Sequence, residues 1–374
     1  MSKLRVTNPT EPPPEANTRL TFGVEIEFLL ATVKPGNPNH NPNDTREVDG
    51  KYLPSEDPIN FNIADKLTNV GIPAVVEEED VLHEHLPDEQ YRTCWILKPD
   101  CSVGEYNPSP DPEDYVEYGL EMSSPPYYYD EASREAIRTV IKTLRNNYLV
   151  HVDDSAGLHV HVGNGYFGLQ WRKLRNLAAI VWTYEQHLEL IMPEKRVGTK
   201  WCRSLWECKL QMNDVELARL EVLNLILSFT EGTNMVTELE AWDSISRLGF
   251  NVRGLSTPFM DSKCTVEFRY HAGSLDPEAI LHWVPVCIKI VEKACLVKDE
   301  DEDEFFERLR SDVEKPIGFD ERHISTIDCF MWLGCPAQAY YYGVKMIADK
   351  TKVEQRIQRM ADVPNTSMFQ SLQR

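Results

Sequence analysis

Much of what would place this 374-residue sequence quickly is missing from it. Its nine cysteines are odd in number and include no CxxC pair, which speaks against a zinc ribbon and against a disulfide scaffold. No stretch is apolar for long enough to cross a bilayer, and the opening "MSKLRVTNPTEPPPEANT" has no apolar leader core. Such a chain is expected to be a reduced, cytoplasmic protein with no membrane partner. Positive charge is scarce: 39 Lys and Arg against 60 Asp and Glu give a net charge of −21. That argues against nucleic acid as a partner, because phosphate backbones are held by excess Lys and Arg. There is no GxxxxGK[ST], no glycine-rich loop opening a helix and no HExxH. No internal repeat is visible.

What is present is an ordinary globular composition, 42% hydrophobic and 26% charged, long enough for one large domain or two smaller ones. Residues 1–18, with four prolines, read as a flexible lead. The acidic runs Glu77–Asp80 and Asp299–Glu304 read as solvated segments. Pro58–Asp80 reads as a helix and then a strand from Pro73; Tyr91–Gly104 reads as a strand entering a turn, and Val116–Tyr129 as a strand stopped by Pro125-Pro126. Asp130 is placed to cap a helix whose Ile137, Val140, Ile141, Leu144 and Tyr148 form one stripe. Trp171–Met192 is a second helix, with Leu174, Leu177, Ala178, Val181, Leu188 and Ile191 inward, and Asn213–Phe229 is a third. Asp276-Pro277 starts a helix to about Val297 that Pro285 should kink, and a helical tail is expected from about Phe305 to Ala361. Strands do not alternate regularly with helices, so the expected class is α+β with a largely antiparallel sheet.

The stretch "TFGVEIEFLL" (Thr21–Leu30) is the most informative. With the two-residue period of a strand, Phe22, Val24, Ile26 and Phe28 share one face, and Glu25 and Glu27 point together from the other, about 7 Å apart. Either this second face meets solvent, or the paired carboxylates need a positive group between them. The habit recurs. "GLHVHVG" (Gly157–Gly163) sets His159 and His161 opposite an apolar face, and "CTVEFRYHAG" (Cys264–Gly273) does the same with Glu267, Arg269 and His271. Three such strands can line one face of a sheet. Several carboxylates with one or two imidazoles suit a hard divalent ion, Mg²⁺ or Mn²⁺, and an arginine beside them suits phosphate or carboxylate. A metal plus an arginine is what phosphoryl transfer requires.

In this order, "GVEIEF", "PDCS", "GLEMSSP", "GLHVHVG" and "VEFRYHAG" resemble the amidoligase family, carboxylate–amine ligases that share the glutamine synthetase catalytic fold. The resemblance spans about Thr21 to Val297. It implies a curved, largely antiparallel glutamine synthetase-like sheet packed by helices on one face. It also implies a catalytic domain over 19–298, followed by the acidic run and a helical extension over 299–374. Carried onto matching positions, it implies Glu25, Glu27, Glu121, His159 and Glu267 as metal ligands, with Asp100 a further carboxylate or the acceptor of the amine's proton. It implies Arg269 on the transferring phosphoryl group or substrate carboxylate, and His161 on nucleotide or substrate. His271, Arg253, and the loop residues Arg196, Lys200 and Arg203 are further candidates for substrate. The implied reaction uses ATP and Mg²⁺ (or Mn²⁺): a substrate carboxylate attacks the γ-phosphorus, an amine attacks the resulting acyl phosphate, and an amide, ADP and phosphate leave. The partners implied are a small-molecule or peptide carboxylate and an amine; no oligomer is indicated. Three other functions fit less of the pattern: a metal-dependent hydrolase built on HxH, a guanidino kinase on the same fold, and a non-catalytic nucleotide-binding relative.

Overall fold

The computed structural model describes residues 19–33, 37–46, 48, 58–77, 86–104, 115–165, 168–210, 217–231, 233–241, 245–255, 264–318 and 322–362. The expected lead over 1–18, the acidic residues 78–80, the start of the helix expected from Asn213, and the chain end after Asp362 lie outside these. The chain divides into two compact units, residues 1–160 with 271–281, and residues 161–270 with 282–374.

The first unit contains β1 (Thr21–Thr32), α1 (Pro58–Asn69), β2 (Ala74–Val76), α2 (Asp88–Thr93), β3 (Trp95–Pro99), β4 (Val116–Ser123), β5 (Tyr127–Tyr128), α3 (Glu131–Asn147) and β6 (Leu149–His151). β7 (Gly157–Gly163) begins in it and ends in the second unit. Strand order is β2-β3-β4-β1-β7, with β5 and β6 also paired to β1. The β1–β4, β1–β5, β1–β6 and β3–β4 pairings are antiparallel, and β2–β3 is parallel. The fold is thus mixed α and β around a largely antiparallel sheet.

The alternation expected for β1 holds, but both of its faces are buried. Phe22, Val24, Ile26, Phe28 and Leu30 form the apolar face, and Glu25 and Glu27 are buried as well. This removes the solvent-facing alternative. α3 starts at a capping box: the Asp130 side chain accepts from the Ser133 N–H, and Ser133 Oγ accepts from the Asp130 N–H. Its buried stripe is the expected Ile137, Val140, Ile141 and Leu144, and α1 packs against α3, β2 and β3. The strand expected from Tyr91 starts later, at Trp95. Asp88 and Glu89 instead open a short helix, where acidic side chains suit the exposed N–H groups.

In the second unit, β7 continues, followed by α4 (Trp171–Leu190), α5 (Arg219–Leu227), α6 (Met235–Glu238), β8 (Phe250–Asn251) and β9 (Thr265–Ala272). Next come α7 (Pro277–Cys295), α8 (Glu302–Val313), α9 (Thr326–Leu333), α10 (Pro336–Ala348) and α11 (Lys350–Asp362). The last two residues of β9 and the first turn of α7 belong to the first unit. Strand order here is β7-β9-β8, with β8–β9 antiparallel.

α4 departs from a single inward stripe, being buried on nearly every side, because α5, α8, α9 and α11 all pack on it. Its polar residues therefore find partners inside. Tyr184 Oη donates to Asp312 at 2.6 Å, and Glu185 accepts from Ser204 Oγ, the Leu205 N–H and Tyr270 Oη at 2.6–2.7 Å. The acidic run is not merely solvated. Asp299 pairs with Arg172 at 2.9 Å, Glu302 pairs with Arg175, and Glu302–Glu304 form the first turn of α8, where negative charge is favoured.

Candidate metal centre

Pairing register assembles the centre of the first unit. In the β1–β4 ladder Glu27 lies opposite Glu121 and Glu25 opposite Ser123; in the β3–β4 ladder Lys98 lies opposite Glu121. Lys98, Glu121 and Glu27 therefore form a row across three neighbouring strands. Lys98 Nζ is 3.3 Å from Glu121 Oε1, and Ser123 Oγ donates to the same oxygen at 2.7 Å.

A turn after β3 adds a third carboxylate. The Asp100 N–H donates to the Gly119 carbonyl at 2.9 Å, and Asp100 Oδ1 accepts from the N–H and Oγ of Ser102 at 2.8 and 2.7 Å. The turn lies so close to β4 that a Cβ on Gly119 would sit 2.3 Å from the Val103 carbonyl oxygen and 2.4 Å from that of Asp100. Glycine is required here by space. The thiol-bearing Cys101 of this turn is exposed. As a result Glu27, Asp100 and Glu121 each offer an oxygen within 4.8 Å of the others.

β7 contributes the imidazole. His159 Nδ1 is 3.2 Å from Glu25 Oε2, and its Nε2 is 3.3 Å from Glu27 Oε1. The Gly157 N–H donates to Glu27 Oε2 at 2.6 Å. His159 is thus the group between the paired glutamates. Burial, and then the charge of Glu25, raise the Glu121 carboxyl above its ordinary pKa despite Lys98. Four carboxylates here face one ammonium and one imidazole. That excess of buried negative charge on hard oxygen donors fits a divalent cation such as Mg²⁺ or Mn²⁺.

The second unit holds its own cluster. On β9, Glu267 Oε1 lies 2.5 Å from an Arg269 guanidinium nitrogen, and Glu267 Oε2 accepts from Asn251 Nδ2 at 2.6 Å. His161 Nε2 is 3.8 Å from Glu267 Oε1, and its Nδ1 is 3.0 Å from Thr265 Oγ1. Arg269 Nε donates to the Trp201 carbonyl at 3.1 Å, and buried Arg196 donates to the Arg269 carbonyl at 3.0 Å. Arg253 pairs with Glu240 at 3.2 Å, and Arg203 with Glu207 at 2.5 Å. Lys200 is exposed, its ammonium 4.5 Å from the Trp201 ring centre. His271, in the first unit, has Nδ1 2.6 Å from the Ala272 carbonyl oxygen.

Lys98, Ser123 and Asn251 were not among the residues expected from sequence. Ser123 shares the parity of Glu121 in "GLEMSSP", and Lys98 that of Asp100 in "LKPD", so strand alternation continued through both segments would have marked them. Asn251 is reached only through its register opposite Glu267.

A fold with this donor set on its sheet defines a class before it defines a reaction. The sequence matches the family described as "Putative amidoligase enzyme" over residues 18–291. The chain belongs to that family. No curated protein matches it. Among solved structures it is similar, at 12% identity and a TM-score of 0.32, to a bifunctional glutathione synthetase from Pasteurella multocida, with 93% of this chain and 48% of that one covered. The chain spans about half the length of that protein.

Among the described residues no helix is long and apolar enough to cross a membrane.

Proposed function

We propose that this protein is an ATP- and Mg²⁺-dependent carboxylate–amine ligase built on a glutamine synthetase-like sheet, joining a small-molecule or peptide carboxylate to an amine. The observation that carries this is the convergence of oxygens from buried Glu27 and Glu121 and half-buried Asp100 within 4.8 Å, beside His159 and Glu25. An oxygen-rich set of this kind favours Mg²⁺ or Mn²⁺ over the zinc of a hydrolase. Glu25, Glu27, Asp100, Glu121 and His159 would hold the metal, which when bound neutralises phosphate-oxygen charge. Glu267 is assigned to the same task by the family motif.

In the proposed first step a substrate carboxylate oxygen attacks the γ-phosphorus of ATP and ADP leaves. In the second, the amine attacks the acyl phosphate carbonyl, phosphate leaves, and a carboxylate takes the ammonium proton. Asp100 is proposed for that proton as well as for the metal. Its Oδ1 takes both hydrogen bonds from Ser102, which fixes the orientation of the carboxyl. Arg269 is proposed to grip the phosphoryl or carboxylate anion. The Glu267 carboxylate and the Trp201 carbonyl hold its guanidinium in one orientation, which suits a two-pronged contact. Arg203 and Arg253 already hold ion pairs with Glu207 and Glu240, and are proposed for substrate only if those pairs open.

The test is ADP release with Mg²⁺ across a panel of carboxylates and amines, including amino acids, peptides and polyamines, with Glu27→Gln as control. Carboxylate- and amine-dependent ADP release with amide formation, lost in Glu27→Gln, supports the proposal. Metal-dependent hydrolysis without ATP would overturn it in favour of a hydrolase.

A further inference from the structure

We infer that Lys98 is an exchangeable counter-ion: it neutralises Glu121 while the carboxylates hold no metal, and it binds an anionic ligand, the phosphate of a nucleotide, once they do. The inference rests on the proposed function and adds to it a residue that the family motifs do not mark.

Three observations lead to it. The first is position, since Lys98 lies opposite Glu121 in the β3–β4 ladder, at the end of the row that runs through Glu121 to Glu27. The second is contact: its ammonium is 3.3 Å from Glu121 Oε1, an oxygen already satisfied by Ser123 Oγ at 2.7 Å. The third is exposure, for the Lys98 side chain is 35% exposed while that of Glu121 is 9% exposed. One partner is fixed in the sheet and the other reaches solvent. Lysine suits this task because its charge is a compact point on a flexible four-carbon stem, able to move between partners without losing a planar fork.

The charge balance gives the direction of exchange. Four carboxylates, Glu25, Glu27, Asp100 and Glu121, meet here, against which Lys98 supplies the ammonium and His159 an imidazole. A carboxylate shared with a divalent cation offers an ammonium far less attraction than a bare one. Lys98 then gains more from a phosphate oxygen at the open side than from Glu121. The same residue would therefore weaken metal binding slightly and strengthen nucleotide binding strongly, and would make nucleotide affinity depend on prior loading of the carboxylates.

The test uses the full chain and two variants, Lys98→Met and Lys98→Arg, with thermal melting to check that each is folded. Mn²⁺ alone is titrated and free Mn²⁺ followed by electron paramagnetic resonance; ATP is then titrated calorimetrically with and without saturating Mn²⁺. Lys98→Met should bind Mn²⁺ as tightly as the parent or up to about 10-fold tighter, and bind ATP about 10- to 100-fold more weakly when Mn²⁺ is saturating. Lys98→Arg should recover most of the ATP affinity. If folded Lys98→Met binds ATP like the parent, or loses Mn²⁺ affinity, the role given to Lys98 is wrong while the metal centre stands. If the parent itself binds no Mn²⁺, the proposed function fails, and Lys98 is only the structural partner of Glu121.

Discussion

Glu27 and Glu121 stand directly opposite each other across the β1–β4 ladder, both buried, with Asp100 brought against them by the turn after β3. Like charges directly opposite in a sheet are unfavourable, and more so away from water. The burial that raises the Glu121 carboxyl works in the same direction. In the proposed function that cost is offset by the cation the pair would hold.

It follows that Glu121→Gln should not destabilise the metal-free protein at neutral pH. A carboxyl whose pKa is raised by folding contributes stability below its unfolded value and loses it as pH rises through the folded one. At pH 7 the neutral amide avoids that loss, so metal-free stability is expected to be equal or about 1 kcal/mol higher. The rise in melting temperature on adding Mg²⁺ should be abolished. Differential scanning fluorimetry with and without Mg²⁺ reads both effects.

Gly119→Ala should couple stability to metal affinity. A methyl group 2.3 Å from the Val103 carbonyl oxygen and 2.4 Å from that of Asp100 must push the turn away. A cost of about 1–3 kcal/mol is expected in urea unfolding, the usual range for overpacking. Mn²⁺ affinity should fall with it as Asp100 withdraws. A variant destabilised to this extent with undiminished Mn²⁺ binding would remove Asp100 from the donor set.

For Arg269, substitution by lysine should be nearly as damaging as substitution by alanine. Its guanidinium is held by Glu267 and by the Trp201 carbonyl at once, a geometry a single ammonium cannot reproduce. Both variants are expected to lose about 10²-fold or more in kcat/KM for ADP formation. Full rescue by lysine would show that only the charge matters.

His187 should govern part of the acid sensitivity. It is buried on α4 with Nδ1 3.4 Å from Thr326 Oγ1. Burial first, and the charge of Arg219 second, push its pKa down from 6.5 to about 4, against the pull of Asp312 and Asp328. Because the folded value is depressed, the unfolded chain takes up the proton first. The stability linked to His187 is complete above about pH 6.5 and is lost as pH falls through about 4. Replacing it with glutamine should flatten the urea midpoint between these two values relative to the parent, whatever the absolute stability. An unchanged slope would mean that His187 does not titrate in this window.

How much of this could be read beforehand depended on whether the signal was local. The two-residue period of β1, the Asp130 cap and the Asp276-Pro277 helix start are written in adjacent residues, and each lies where expected. Strand alternation alone also singled out Glu25, Glu27, His159, His161, Glu267 and Arg269. The all-round burial of α4 was not legible, because it depends on α8, α9 and α11, more than a hundred residues further along the chain. Asn251 was missed because its importance lies in a register between strands that no single segment encodes. Arg203 could not be told from a substrate ligand until its partner Glu207, further along the same segment, was seen to hold it.

Of the nine thiols, Cys101 is the exposed one, and five others are buried. It adjoins Asp100 on the turn seated against β4. A thiol-selective fluorophore would therefore mark this position in preference to the buried cysteines, with no engineered residue, and its emission would report local rearrangement as cations, nucleotides and acids are added in turn. The molecule carries its own attachment point for watching the order in which its ligands arrive.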